Sequence, residues 1–217
     1  MIRIALKSLL ARKLRLALMV FAIVLGVSFV VASFVISDSL GSTFDKLSTD
    51  IEGRTDLTVR MKQEFGDASQ RTPIDASVLD VVKRVDGVQA ADGAITAIGV
   101  TPIKANGDPI KRLGPPLFGI GYGTAAELNP LIQVDGRPPV GEGEFNLDIT
   151  AAKDDGFVVG ERYTISTPTG NHQATLVGTI AFNSLENDTV GAVLTVFDTP
   201  TAQKFLALEG KYSEIAV

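Results

Sequence analysis

The sequence predicts an α+β protein, with one N-terminal transmembrane helix followed by a mixed α/β extracytoplasmic domain. Three observations carry that prediction. Residues 16–36 form an apolar run of 21 residues without a charged side chain, and a helix needs about 20 such residues to cross a hydrocarbon layer. Arg3, Lys7, Arg12, Lys13 and Arg15 precede the run, whereas no Asp or Glu occurs before Asp38. The remainder mixes period-two and helical apolar spacings between turns rich in Gly and Pro. The chain therefore divides into a basic cytoplasmic lead over 1–13, a membrane helix over 14–40 and an outer domain over 41–217.

In the lead, Ile2, Leu6, Leu9, Leu10 and Leu14 recur at near-helical spacing with basic residues between them. That pattern reads as an amphipathic helix lying in the membrane interface. Basic flanks stay on the cytoplasmic side, so the N-terminus is expected inside and the chain after Asp38 outside. A cleaved signal peptide ending at Val30-Val31-Ala32 is the competing reading, but signal h-regions span only about 7–15 residues. The apolar run also continues through Phe34, Val35 and Ile36. Ala22, Gly26, Ser33 and Ser37 fall on one side of the helix, where small residues let a neighbouring membrane helix approach closely.

Beyond the run, 15 basic residues stand against 25 acidic ones, a net −10. Nucleic-acid binding favours the opposite sign. There is no cysteine, so packing rather than disulfides must hold the outer domain together.

Along the domain, residues 57–61 alternate as a strand, and 66–73 read as a polar loop. Residues 75–85 place Val78, Leu79, Val82 and Val85 at helical spacing, with Gly87 where a C-cap would stand. Residues 95–104 read as one strand before an Asn106-Gly107 turn, and 114–123 as a short strand between loops. A helical turn or two is expected over 149–153, then two strands over 162–166 and 172–180 joined across Thr169-Gly170-Asn171. A strand over 192–197 precedes a helix over 199–208 with Pro200 near its start. A last strand begins at Ser213, and its abrupt end at Val217 is expected to leave an unpaired edge, as in a piece of a longer domain.

Chemistry is scarce. A single histidine, His172, without cysteines builds no metal site, so a solvated or packed ring is expected. Gly119-Ile120-Gly121-Tyr122-Gly123 has Thr124 where a dinucleotide loop needs its third glycine. Neither a phosphate loop nor a nucleophile elbow occurs. Glu142, Glu144 and Asp148 lack calcium-loop spacing and read as a solvated face. Asn187-Asp188-Thr189 formally fits a glycosylation acceptor. No catalytic, cofactor or metal residue is assigned.

The segment from Ala5-Leu6-Lys7-Ser8 to Leu14-Arg15, running straight into the membrane helix, resembles the start of ABC transporter permeases of the MacB/FtsX type. Val134-Asp135-Gly136-Arg137-Pro138, Glu142-Gly143-Glu144 and Ala151-Ala152 are similar to later segments of that family. So are the stretch from Gly156 through Gly160-Glu161 to Ile165, and Val177-Gly178-Thr179-Ile180, with Leu176 a conservative departure from a common valine. The resemblance marks Gly136, Arg137, Glu144, Gly156, Gly160 and Gly178 as family-motif positions. It implies an outer domain of two α+β lobes on a four-helix membrane stalk, with three further membrane helices beyond Val217. It also implies partnership with a second permease subunit and a cytoplasmic P-loop ATPase, which drives export or extraction of lipid, lipoprotein or peptide cargo. On that reading the chain is not itself an enzyme and carries no cofactor. The alternative from another class is a single-pass anchored binding or sensor domain.

Overall fold

The computed structural model describes residues 13–52, 55–62, 72–112, 114–185, 187, 189 and 191–217. Residues 1–12 of the amphipathic lead and 66–71 of the 66–73 loop fall outside that set. Helix α1 runs over Lys13–Glu52, 40 residues without a break, a length of about 60 Å. Its stretch Lys13–Val35 is long and apolar enough to cross a membrane. The helix continues past residue 40, and the chain divides into compact units at Lys46 and Leu47.

The outer unit is built on strands. In chain order they are β1 (Thr58–Val59), β2 (Ile74–Asp75), β3 (Asp92–Ala94), β4 (Thr96–Ile98), β5 (Thr101–Ile103), β6 (Leu117–Tyr122) and β7 (Leu131–Gly136). Then follow β8 (Glu144–Asp148), β9 (Arg162–Thr167), β10 (Gly170–Phe182), β11 (Val193–Asp198), β12 (Lys211–Tyr212) and β13 (Glu214–Ala216). Short helices intervene: α2 (Ser77–Val82), α3 (Ile149–Asp155) and α4 (Thr199–Phe205).

Among the described residues the largest sheet has eight strands, ordered β4-β6-β11-β8-β10-β9-β5, with β7 also on β10. Alternation sends Phe145, Leu147, Leu176, Val193 and Phe197 to one face, where Ala151 and Ala152 of α3 and Ala202 and Phe205 of α4 cover them. Leu131, Ile180, Phe182, Leu194 and Val196 form a second cluster, edged by half-buried Phe118, Ile120 and Tyr122. A smaller sheet, ordered β1-β13-β3, packs Ile215 against Ile74, Leu79 and Ala91 in a cluster of its own.

Local signals explain most boundaries. Asp148 caps α3 by accepting the Ala151 N–H at 2.8 Å, and Gly156 ends that helix in the left-handed region at φ 74°. Pro200 stands in the first turn of α4. The Asn106-Gly107 turn forms as expected, with the Gly107 N–H on the Lys104 carbonyl.

Four expectations need correction. The strand read over 95–104 is two strands, because Gly99 at φ 92° turns the chain between β4 and β5. The helix read over 75–85 is only α2, its last turns giving way to looser turns before Gly87. Strands β2, β3, β7, β8 and β12 form where the sequence pattern predicts none. The edge expected to be bare at the end of the chain is filled, since β13 lies between β1 and β3 and Val217 exchanges hydrogen bonds with Leu57.

Candidate functional site

Five of the six positions marked by the family resemblance, Gly136, Arg137, Glu144, Gly160 and Gly178, lie around one irregular stretch of β10. That strand pairs with β9 over its first half and β7 over its second, while β8 runs along its other side. Register slips between Leu176 and Gly178 against β8, and between Thr179 and Ile180 against β7. A bulge of this kind bends the strand and redirects its carbonyls. The Leu176 carbonyl accepts the Gly160 N–H at 2.7 Å, and the Val177 carbonyl accepts the Arg137 N–H at 3.1 Å.

Two glycines make that approach possible. Gly136 sits at φ 68°, where a Cβ would collide with the Val177 carbonyl, and a Cβ on Gly178 would lie 2.5 Å from the Asp135 oxygen. Arg137 closes the loop by donating from Nη1 and Nη2 to the two Glu144 carboxylate oxygens, at 2.6 and 2.5 Å. Glu144 also accepts the Val140 N–H at 2.9 Å. The Arg137 hydrogen bonds hold the Glu144 carboxyl below the usual range. Gly136, Arg137, Glu144, Gly160 and Gly178 are thus gathered at one joint, while Gly156 stands apart as the cap of α3. Their side chains and backbone hold chain against chain.

The acidic cluster separates into three roles. Glu142 is exposed and paired with Lys204 at 2.8 Å. Asp148, expected on a solvated face, is instead buried, because it takes the Ala151 and Leu194 N–H groups and the Asn187 amide. Burial pushes its carboxyl above the ordinary range, against those hydrogen bonds. Asn187 is buried as well, accepting from the Phe182 N–H and donating to Thr150, so its amide is engaged at both ends and unsuited to carry a glycan.

His172 stacks on Phe205 with ring centres 3.7 Å apart and meets the Thr169 hydroxyl at 3.0 Å, so the packed reading holds. Gly119 lies within β6, where a Cβ would press on Val100 and Leu206, so the glycine run serves packing rather than a phosphate. Ala22, Gly26 and Ser33 are exposed on α1 within about 60° of arc together with Ser37, whose side chain lies outside the described set. No described group of three His, Cys, Asp or Glu residues is arranged to hold a metal.

Sequence reasoning missed a cleft of about 120 Å³ between the small sheet and the large one. Asp92, Thr58, Glu214 and Ala216 line one side of it, and Ile120, Leu131 and Phe182 the other. The apolar run Leu131-Ile132 after Pro130 was the available signal, since it marks β7.

The profile of the MacB-like periplasmic core domain matches residues 16–217. The chain belongs to that family. Such MacB-like domains come from ABC transporter permeases of the MacB/FtsX type, which are not themselves enzymes. Two solved structures share the fold of this MacB-like chain. The periplasmic region of MacB from Actinobacillus actinomycetemcomitans has a TM-score of 0.51 at 15% identity, covering 73% of this chain and 71% of that one. The extracellular domain of the noncanonic ABC-type transporter YknZ from Gram-positive bacteria also has a TM-score of 0.51, at 14% identity, covering 74% of this chain and 82% of that one. No curated protein matches the chain.

Proposed function

We propose that this chain is a permease subunit that carries ATP-driven motion across the membrane to its outer domain, for export or extraction of lipid, lipoprotein or peptide cargo. The observation behind this is the reach of the family match, which begins inside the apolar run and extends through the whole outer unit. A cytoplasmic P-loop ATPase supplies the work and a second permease subunit completes the pair. The basic residues before the run and the acidic remainder support a cytoplasmic N-terminus and an outer domain on the far side of the membrane. Within the membrane, the face made by Ala22, Gly26, Ser33 and Ser37 packs against another helix.

Purification of the intact protein in mild detergent tests the reading. A P-loop ATPase subunit is expected to accompany it, and absence of any such subunit overturns the coupling. Orientation is tested separately: Ser184→Cys is expected to react with an impermeant thiol reagent in intact cells, and Ser8→Cys to resist it. The reverse labelling overturns the topology.

A further inference from the structure

The cleft between the two sheets has walls of different chemistry. Pairing of Thr58 with Ala216, Ala216 with Asp92 and Glu214 with Ala94 puts these residues on one face of the small sheet. Facing them across the cleft are Ile120, Leu131 and Phe182 of the large sheet. One wall is therefore polar and acidic, the other apolar.

The acidic wall is only half balanced. Glu214 is paired with Arg60 at 2.6 Å. Asp92 accepts from the Gly93, Thr124 and Ala125 N–H groups and the Thr124 hydroxyl, at 2.5 to 3.0 Å. These neutral donors fix the carboxylate in place without cancelling its charge. Among the described residues, no Lys, Arg or His stands within ion-pair distance of it. The net −10 beyond the membrane run adds a field that draws cations toward the outer unit. The space of about 120 Å³ is close to the roughly 150 Å³ in which an apolar cavity holds a benzene ring.

We infer that this cleft binds the tip of a cationic amphiphile, with about five to seven carbons against Ile120, Leu131 and Phe182 and an ammonium or guanidinium group beside Asp92. The alkyl part replaces water on the apolar wall, and the cation supplies the charge that Asp92 lacks. Nothing in this inference depends on coupling to an ATPase.

The chain contains no cysteine, so a single Thr58→Cys variant of the intact protein in lipid nanodiscs reports on the cleft through its rate of modification by a small neutral thiol reagent. n-Hexylammonium is expected to slow that rate saturably, at concentrations about tenfold below those needed for n-hexanol, while hexanoate gives no protection. In the Thr58→Cys/Asp92→Asn protein, n-hexanol is expected still to protect, which reports an intact cleft, and the advantage of n-hexylammonium to vanish. Added salt is expected to erode the same advantage without touching n-hexanol. A Leu185→Cys control on an exposed loop is expected to respond to none of the three. Equal protection by all three compounds overturns the inference. So does absence of protection at Thr58→Cys, or an ammonium advantage that survives both Asp92→Asn and salt.

Discussion

Along β11, Val193 and Phe197 contribute to one face of the large sheet and Leu194 and Val196 to the other. The first face is closed by α3 and α4, and Phe145, Leu147, Leu176 and Phe197 are buried beneath them. The second face grades outward from buried Ile180 and Val196, through half-buried Phe118, Ile120 and Tyr122, to Ile98, which is 53% exposed. The two faces share the same strand-forming residue types. What separates them is where the helices fall, since both α3 and α4 return to the same side. One face holds the fold together, and the other keeps apolar surface available beside an acidic wall.

The largest expected effect breaks the closed face. Phe197→Ala should cost about 3–5 kcal/mol in urea unfolding followed by far-UV circular dichroism, and Phe118→Ala on the open face less than half as much. Equal losses would erase the distinction between the faces. Next comes the joint on β10. Gly178→Ala should cost about 1–3 kcal/mol, because the added methyl meets the Asp135 carbonyl.

A smaller effect separates two carboxylates by sign. The Asp148 carboxyl is raised in the folded state, above an ordinary value of 3.8. Its contribution is therefore fully present in acid and is lost as pH rises through the raised value. Glu144 is lowered from 4.5, so its contribution is present above that value and lost as pH falls through the lowered one. In melting curves taken across pH, the stability difference between wild type and Asp148→Asn should move against the variant at low pH and toward it at higher pH. For Glu144→Gln the trend should reverse. The smallest effect is expected at Leu185, which is 72% exposed, where Leu185→Ser should stay within about 0.5 kcal/mol of wild type.

The elements legible in the sequence were those whose apolar pattern follows from one-sided burial. Strand β9 alternates, β10 follows a recognisable turn, and α4 announces itself with Pro200. The misses have physical causes. Strand β8 reads Glu-Phe-Asn-Leu-Asp, with Phe145 and Leu147 facing the helices, but Asn146 and Asp148 are buried too, held by hydrogen bonds no local pattern reveals. Strand β3 is Asp-Gly-Ala, without a bulky apolar residue, and exists because β13 pairs with it from far along the chain, with Ala94 opposite Glu214, 120 positions later. Gly136, Arg137, Glu144, Gly160 and Gly178 were marked by resemblance, yet their meeting along one irregular stretch of β10 was not legible, because it depends on Gly136 and Gly178 approaching across strands. The cleft was invisible for a similar reason, since its lining gathers residues from Thr58, 92–96, 120–131, Phe182 and 214–216 that only the folded sheets bring together.

The pairing of β1 with β13 has a mechanical consequence. The two strands are antiparallel, and Leu57, five residues past the end of α1, shares a rung with Val217. Tension drawn along the chain from the helix side would meet the Asp56 and Leu57 hydrogen bonds to Val217 before the pairing of Thr58 or Val59. If Val217 were held fixed, the pull would peel the rungs apart one after another instead of sliding them all together, so the ladder would give way progressively under modest force.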